Sequence, residues 1–438
     1  LQTEEDMNSL WENIPKYSRF ESLNQDLKTD VLIIGGGITG ILCAYLLHQA
    51  DVPYALVEAE TVCSGITKNT TAKITSQHGL IYSKLIRRLG TERAKQYLQA
   101  NEAALEQYRK VCGGIDCDFE KKDAYVYSLD SRKKIEKEAE ALVQLGFPAS
   151  FSDSLPLPFP VAGAVKFPNQ AQFNPLKFVF SITEGLHIYE HTKVNELAGT
   201  TAFTRKGKIK AKKIIIATHF PFINKHGCYF LKMYQHRSYV LALENAQDTG
   251  GMYIDAAQKG LSFRNSGDLL LLGGGSHRTG KKGGNWQELR AFARRYYPAS
   301  TERYHWATQD CMTLDGVPYI GPYSAGTQDL FVATGFTKWG MTSSMAAAML
   351  LCDMVQGKQN PFAEVFSPSR SILRPQLAIN GLEAAVNLLT PAKKRCPHLG
   401  CALKWNPYER TWDCPCHGSR FTKNGRLIDN PATGNLKK

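Results

Sequence analysis

The sequence predicts an α/β (α+β) fold in more than one domain. Three observations predict it. TDVLIIGGGITGILCAYLLHQA at 29–50, followed by YALVEAE at 54–60, reads as a strand, a tight turn, a helix and a second strand. SYVLALE, GLSFR and DLLLLGG, within 236–275, read as antiparallel strands. Four cysteines and two histidines crowd into CPHLGC at 396–401 and CPCHGS at 414–419, which marks a separate C-terminal unit.

Along the chain, residues 82–111 carry a helical pattern broken at Gly90. DAYVYSLD alternates like a strand, and SRKKIEKEAEALVQLG is a charged helix stopped at Gly146. Residues 148–175 are Pro-rich and read as loop. GLHIYEHTKV and KIKAKKIIIATH read as strands, the second with a continuous apolar run like a buried parallel strand. DLFVATGF is another buried strand, and MTSSMAAAMLLCDMVQG is a helix closed by Gly357. NPFAEVFSPSRSILRP reads as a linker.

The composition is that of a globular protein: 438 residues, 43% hydrophobic, 21% charged. No run approaches the ~18 apolar residues needed to span a bilayer. The N-terminus is polar and acidic, unlike a secretory signal. Seven cysteines outside 396–416 have no pairing pattern, which suits a reducing compartment and predicts a cytoplasmic protein. The net charge of +13 suits an acidic redox partner or an anionic substrate. No Lys/Arg block with interleaved aromatics is present, which argues against a nucleic-acid partner.

Gly35, Gly37 and Gly40 form G-x-G-x-x-G between strand and helix. The first permits a sharp turn, the second lets a pyrophosphate approach the backbone, and the third lets helix and strand pack closely. Glu58, at the end of the second strand, suits a ribose. The polar stretch VCSGITKNTTAKITSQHG and the strand–turn–helix FVATGFTKWGMTSS favour FAD over NAD, because a helix N-terminus can stabilise charge on a reduced flavin. In LLLLGGGSHRTG, Arg278 stands where a second nucleotide loop needs its third glycine.

VLIIGGGITG, LVEAE, GLHIYEHTKV, KKIIIATH and ATGFTKWGMT resemble the D-amino-acid oxidase / glycine oxidase (DAO) superfamily of FAD oxidoreductases, which includes sarcosine oxidases. The resemblance covers about 30–356, with 1–29 as an N-terminal extension. It implies a Rossmann-like FAD domain (about 30–115, 185–220 and 305–356) interleaved with an antiparallel-sheet substrate domain (about 116–184 and 221–304). It also implies oxidation of a C–N bond of a small amine or amino acid by hydride transfer to the flavin. Ile38, Thr39, Ala59, Ala217, Thr218 and Gly335 join the cofactor side. Val194 meets the adenine region, Thr70, Thr71 and Ala72 lie near the flavin, and Gly340, Met341 and Thr342 approach its pyrimidine edge. Sarcosine oxidases bind the substrate carboxylate with a Lys where this chain has Thr342; Arg237 is the candidate to bind it instead, and His277, on a loop toward the flavin, and Lys338, where the family often has Gly-His, are the other catalytic candidates. Cys311 resembles the position of their thioether to flavin, against which stands a buried free thiol.

Four thiols and two imidazoles point to metal. Zinc could take a Cys₂His₂ set but leaves two cysteines over. C-x-H and C-x-x-H are the ligand loops of a Rieske [2Fe–2S] cluster, with Cys396, His398, Cys414 and His417 as ligands. The resemblance to respiratory and photosynthetic Rieske proteins assigns Cys401 and Cys416 to a disulfide clamp and Pro431 to a covering loop. Ser419 is placed to donate to the cluster, while Phe421 stands where those proteins have a Tyr, so the expected potential lies below theirs. The unit spans about 392–438 behind a linker at 357–391. Strands normally precede the first ligand loop, and only NLLTPAKKR does here, so residues are expected to be missing between about 370 and 396. The expected partner is a further redox centre: an electron carrier, an oxygenase or a quinone. Reversed flow, from the cluster to the flavin, and a redox-sensing role are the alternatives.

Overall fold

The computed structural model describes residues 8–13, 19–224 and 226–437. Strand β1 (Leu27–Ile34) is buried at its C-terminal half and lies between two parallel neighbours. On one side is β2 (Tyr54–Val57), on the other Lys208–Ile216, so the apolar run of that segment is explained by burial at the sheet's centre. Strand Leu330–Thr334 extends the sheet in parallel beyond Lys208–Ile216, and Tyr319–Pro322 closes that edge antiparallel. Ile188–Tyr189 closes the other edge, so GLHIYEHTKV contributes a two-residue strand and otherwise loop. Gly35, Glu58, Ala217 and Gly335 each follow directly on a strand of this sheet. They therefore gather at one end of it, where parallel sheets bind ligands.

Helix α1 (Ile38–Gln49) packs on helix Gly340–Val355, with Thr39 Oγ1 and Ser344 Oγ 2.9 Å apart. Close packing of β1 and α1 depends on Gly40: a Cβ there would lie 1.9 Å from the Gly35 carbonyl oxygen.

The second sheet has nine strands. Thr301–Thr313 and Met233–Glu244 form a long antiparallel pair at one edge, continued by Leu269–Arg278, Ser262–Ser266, Met252–Asp255, Glu120–Ser128 and Gly163–Gln172. The last of these corrects the loop expected over 148–175: Pro168 is tolerated within the strand, where Asn169 also departs to positive φ. The strand read in DLLLLGG runs on through Gly275 to Arg278, so LLLLGGGSHR is strand throughout. Helices Tyr82–Leu89 and Thr91–Cys112 meet at Gly90 as expected.

The stretch read as a linker is largely helical, with Pro375–Leu389 starting on a proline at its first turn. The C-terminal unit is a four-stranded antiparallel sheet, Lys404–Asn406, Thr411–Asp413, Arg420–Thr422 and Leu427–Asp429. All four strands follow Cys401, around a core of Cys396, Cys401, Leu403, Cys414, Cys416, Phe421 and Ala432.

Gly40→Ala is expected to abolish FAD retention. The absorbance ratio of flavin to protein after gel filtration checks this, and a wild-type ratio would contradict the packing described.

Candidate functional site: two redox sites back to back

The crevice at the strand ends opens into a cavity of about 1300 Å³. That exceeds the usual small-molecule pocket and suits an extended dinucleotide with a substrate beside it. All the cofactor-side residues expected from the sequence line it except Gly40, Ala72 and Thr342. Gly40 acts through packing. Ala72 is fully buried, and its carbonyl accepts from Arg264 Nη1 at 2.9 Å, so it shapes the wall from behind. Thr342 is buried and donates to the Thr75 carbonyl at 3.0 Å, next to His78 Nε2 at 3.1 Å. Over Gly37, a Cβ would meet nothing closer than 3.4 Å, which leaves its backbone open to a ligand. Burial raises the pKa of Glu58, against the backbone N–H groups of Glu60 and Gly36 that its carboxylate accepts at 2.9 and 2.6 Å.

At the other end of the cavity, Thr337 and Lys338 take left-handed φ values of 51° and 72° just before helix Gly340–Val355. Two such residues in sequence are costly and are held by the fold around them. Lys338 Nζ reaches Ser276 Oγ. Lys338 is enclosed by protein yet exposed to the cavity, so its free surface faces the ligand space rather than bulk water. Burial lowers its pKa, opposed by Asp310. Burial raises the pKa of Asp310, opposed by Lys338. His236, also in the wall, is held down to about 3 by burial and Lys338, and is neutral. Lys73 is pushed down to about 7 by burial and Arg264. Trp339 stacks on His78, ring centroids 4.8 Å apart. Cys311 lines the cavity as a buried thiol whose pKa burial raises.

Arg237 and His277 do not line the cavity. Arg237 is buried on the far side of its strand, where Nε donates to Glu409 Oε1 at 3.1 Å and Nη2 pairs with Oε2. That guanidinium is committed to a carboxylate of the C-terminal unit and is not available to a substrate. His277 stacks on Tyr239.

Both Cys/His loops make the same turn. In one, Cys396 N donates to Cys401 O and Gly400 N to Cys396 O; in the other, Cys414 N donates to Ser419 O and Gly418 N to Cys414 O. Cys401 and Cys416 form the disulfide that joins the loops. Three sulfurs, of Cys401, Cys414 and Cys416, lie within 4.8 Å of one another, but two belong to the disulfide. The free thiols are Cys396 and Cys414, in mutual contact, with the pKa of Cys396 lowered by its hydrogen bond to Cys414 and that of Cys414 raised by the same bond. The His398 and His417 rings lie 5.0 Å apart, and both Nδ1 atoms are buried with no partner among the described residues. His398 Nε2 meets Asn224 Oδ1 at 3.1 Å, so the proton on Nε2 leaves Nδ1 with a free lone pair. Burial holds His398 down to about 4 and His417 to about 3, so both are neutral, as metal ligands are. Two thiols and two unpartnered imidazole nitrogens are the donor set of a Rieske cluster. Ser419 hydrogen-bonds Cys396 and accepts from Ala432 N at 3.0 Å.

The two sites share one strand pair. Residues alternate across a strand. His236 and Ser238, with Asp310 and Thr308 opposite, line the cavity. Gln235, Arg237 and Gln309 point the other way, into the C-terminal unit. Gln235 Nε2 donates to His417 O and Asn430 O, each at 2.9 Å, and Gln309 Nε2 to Gly418 O at 2.9 Å. At Gly418, φ is +86° and a Cβ would lie 2.5 Å from that of Gln235, so only glycine lets this loop touch the strand. Arg278 donates to the carbonyls of Pro415 and Cys416, both at 3.0 Å. The loop around Pro431 reaches past the loops to the cavity itself, with Asn430 Nδ2 on Thr218 O at 2.7 Å and Lys193 Nζ on Thr433 O at 2.6 Å. Gln235, Gln309, Glu409 and Asp310 were missed from sequence. Asp310 adjoins Cys311 in QDCMTLDG, and the others carry no local signal.

A dinucleotide crevice and a Cys/His cluster site on opposite faces of one strand pair define a two-centre redox protein. Residues 30–354 match the family of FAD dependent oxidoreductases (DAO), and residues 387–438 match the Rieske [2Fe-2S] domain. The chain belongs to the FAD dependent oxidoreductase family and carries a C-terminal Rieske domain; its cofactors are FAD and a [2Fe–2S] cluster. It is 36% identical to YhfW of Bacillus subtilis (strain 168), named as a Rieske 2Fe-2S iron-sulfur protein, over 98% of this chain and 96% of the relative. That alignment runs over 492 positions against 438 residues here, so the relative carries residues that this chain lacks. Among solved structures, glycine oxidase from Geobacillus kaustophilus shares the fold at a TM-score of 0.64 and 20% identity, covering 79% of this chain and 99% of that one. L-proline dehydrogenase from P. horikoshii does so at 0.66 and 18%, covering 79% and 98%.

Two outcomes are expected. Burial would raise the Glu409 carboxyl, but Arg237 and Arg420 overcome it and hold it at about 2. Its stabilisation is therefore complete above its ordinary value of 4.5 and is lost as pH falls from there toward 2. Glu409→Gln should cost about 3–5 kcal/mol at neutral pH, since it strands the buried Arg237 guanidinium and takes from Arg420 one of its three carboxylates, and should flatten the acid limb of a pH-dependent thermal melt. Ser419→Ala should lower the midpoint potential of the cluster in a redox titration, and an unchanged midpoint would show that its hydroxyl does not reach the sulfur.

Proposed function

We propose that this enzyme oxidises the C–N bond of a small amine or amino acid and passes the electrons through a cluster held by Cys396, His398, Cys414 and His417 to an external acceptor. The observation that carries this reading is the shared strand pair. His236 and Asp310 face the cofactor cavity, while Gln235 and Gln309 hold the His417–Gly418 backbone on the reverse face. Bound FAD supplies a two-electron acceptor, and the cluster a one-electron carrier.

Lys338 is the residue best placed to hold a substrate carboxylate, because its ammonium faces the cavity and is anchored by Ser276. Asp310 balances that charge. Neutral His236, and Trp339 stacked on His78, give the same wall an uncharged surface. The names of the fold's neighbours, a glycine oxidase and an L-proline dehydrogenase, favour an amino-acid substrate class. His398, only partly buried, offers the outward side of the cluster site to an acceptor such as a carrier protein, an oxygenase or a quinone. The seven free cysteines outside the cluster site support a reducing, cytoplasmic setting. Among the described residues, no helix is long and apolar enough to cross a membrane.

Anaerobic mixing with a panel of amines and amino acids tests the reading. At least one should bleach the flavin band and then bring up the EPR signal of a reduced Rieske cluster. Lys338→Met should weaken that substrate at least tenfold while leaving dithionite reduction unchanged. Reduction of the flavin only by a reduced carrier protein would reverse the direction of flow, and no reduction by either would favour a sensing role.

A further inference from the structure

Helix Pro375–Leu389 is amphipathic the wrong way round for a helix on a folded domain. A surface helix turns its apolar stripe inward. Here the stripe of Gln376, Asn380, Glu383 and Asn387, at helical spacing, faces the protein. Asn380 Oδ1 accepts from Arg278 Nη1 at 2.9 Å, Glu383 pairs with Lys281 at 2.7 Å, and Asn387 O accepts from Ala402 N at 2.9 Å. The opposite stripe is left bare: Ile379, Leu382, Val386 and Leu389, preceded by Leu373, are 51–83% exposed. A contiguous apolar strip of this kind marks a docking surface.

What covers it is indicated by charge. Between 374 and 404 the chain has five Lys or Arg residues, Arg374, Lys393, Lys394, Arg395 and Lys404, and one carboxylate, Glu383, which is already paired with Lys281. The basic residues stand at the two ends of the helix and beyond it, so the strip is an apolar face with a cationic rim. Aromatic groups adjoin it: Lys394 lies 4.9 Å over the Trp412 ring, and Trp412 packs on Trp405, which is 39% exposed. Apolar side chains flanked by Lys, Arg and Trp are the chemistry of an anionic lipid surface. The helix is 15 residues long, about 22 Å, too short to cross a hydrocarbon core of about 30 Å, so it would lie in the interface.

We propose that this helix is a membrane-surface anchor, which seats the protein on an anionic bilayer with its cluster-bearing unit toward the lipid. Ligand loop 396–401 follows the helix after six residues, and Leu399, beside His398, is itself 40% exposed. The anchored protein presents that loop to acceptors dissolved in or bound to the membrane. Seating on the membrane is independent of the direction of electron flow.

Sedimentation of the purified holoprotein with vesicles tests it. The protein should pellet with phosphatidylcholine/phosphatidylglycerol vesicles, much less with phosphatidylcholine alone, and added salt should release it. Leu382→Asp with Leu389→Asp should cut binding at least tenfold while leaving the flavin and cluster absorption spectra intact. Lys393→Gln with Lys394→Gln should weaken binding on the anionic vesicles. Failure of the wild type to pellet with either vesicle, or unchanged binding by the double Asp variant, would overturn the proposal. So would a wild-type dimer in analytical ultracentrifugation that Leu382→Asp converts to monomers, since the strip would then be a self-interface.

Discussion

A carboxylate buried between two domains holds this molecule together. Glu409, on the turn between the first two strands of the Rieske domain, is 2% exposed and receives Arg237 and Tyr239 from the long strand of the flavin-side sheet. From its own domain it receives Arg420, which also binds Asp413 and Asp429. Burying such a set is expensive unless every member is paired, because each ion gives up its hydration. The compensation exists in one docked arrangement only. The network therefore favours that arrangement over any displaced one, as a non-directional apolar contact could not.

Much of the architecture follows from that docking. Once Arg237 is fixed toward the Rieske domain, the two-residue period of the strand fixes Gln235 on the same side and His236 on the other. Gln235 then meets His417 O, and the absence of a side chain at Gly418 lets the loop come within contact. One strand pair thus serves as the wall of the cofactor cavity and as the bed of the cluster loops. The covering loop completes the arrangement: Asn430 is held by Gln235 through its carbonyl and by Thr218 and Phe220 through its amide.

What was legible in the sequence was whatever is encoded locally. The β1–α1–β2 unit shows itself in a glycine pattern and an apolar run, and the cluster loops in two short cysteine–histidine spacings. Their disulfide followed from resemblance to other Rieske proteins. Arg237 could not be read, because its partner Glu409 lies 172 residues away and a lone arginine in a strand looks the same whether it awaits a substrate or a carboxylate. Strand Gly163–Gln172 was hidden by Pro168 and by the loop-like composition around it. Helix Pro375–Leu389 was hidden by the prolines and serines before it, although Ile379, Leu382, Val386 and Leu389 already carry the period of a helix. Among the described residues, no strand of the Rieske sheet precedes Cys396; the sheet is built from the residues that follow.

The proposed function requires flavin and cluster to form one electron-transfer unit across that strand pair. Flash reduction of the flavin in the anaerobic holoprotein, followed at wavelengths for each centre, tests it most directly. Loss of reduced flavin should match gain of reduced cluster, in a first-order step whose rate does not change with protein concentration. A rate that rises with protein concentration, or a cluster that stays oxidised while the flavin is reduced, would contradict it.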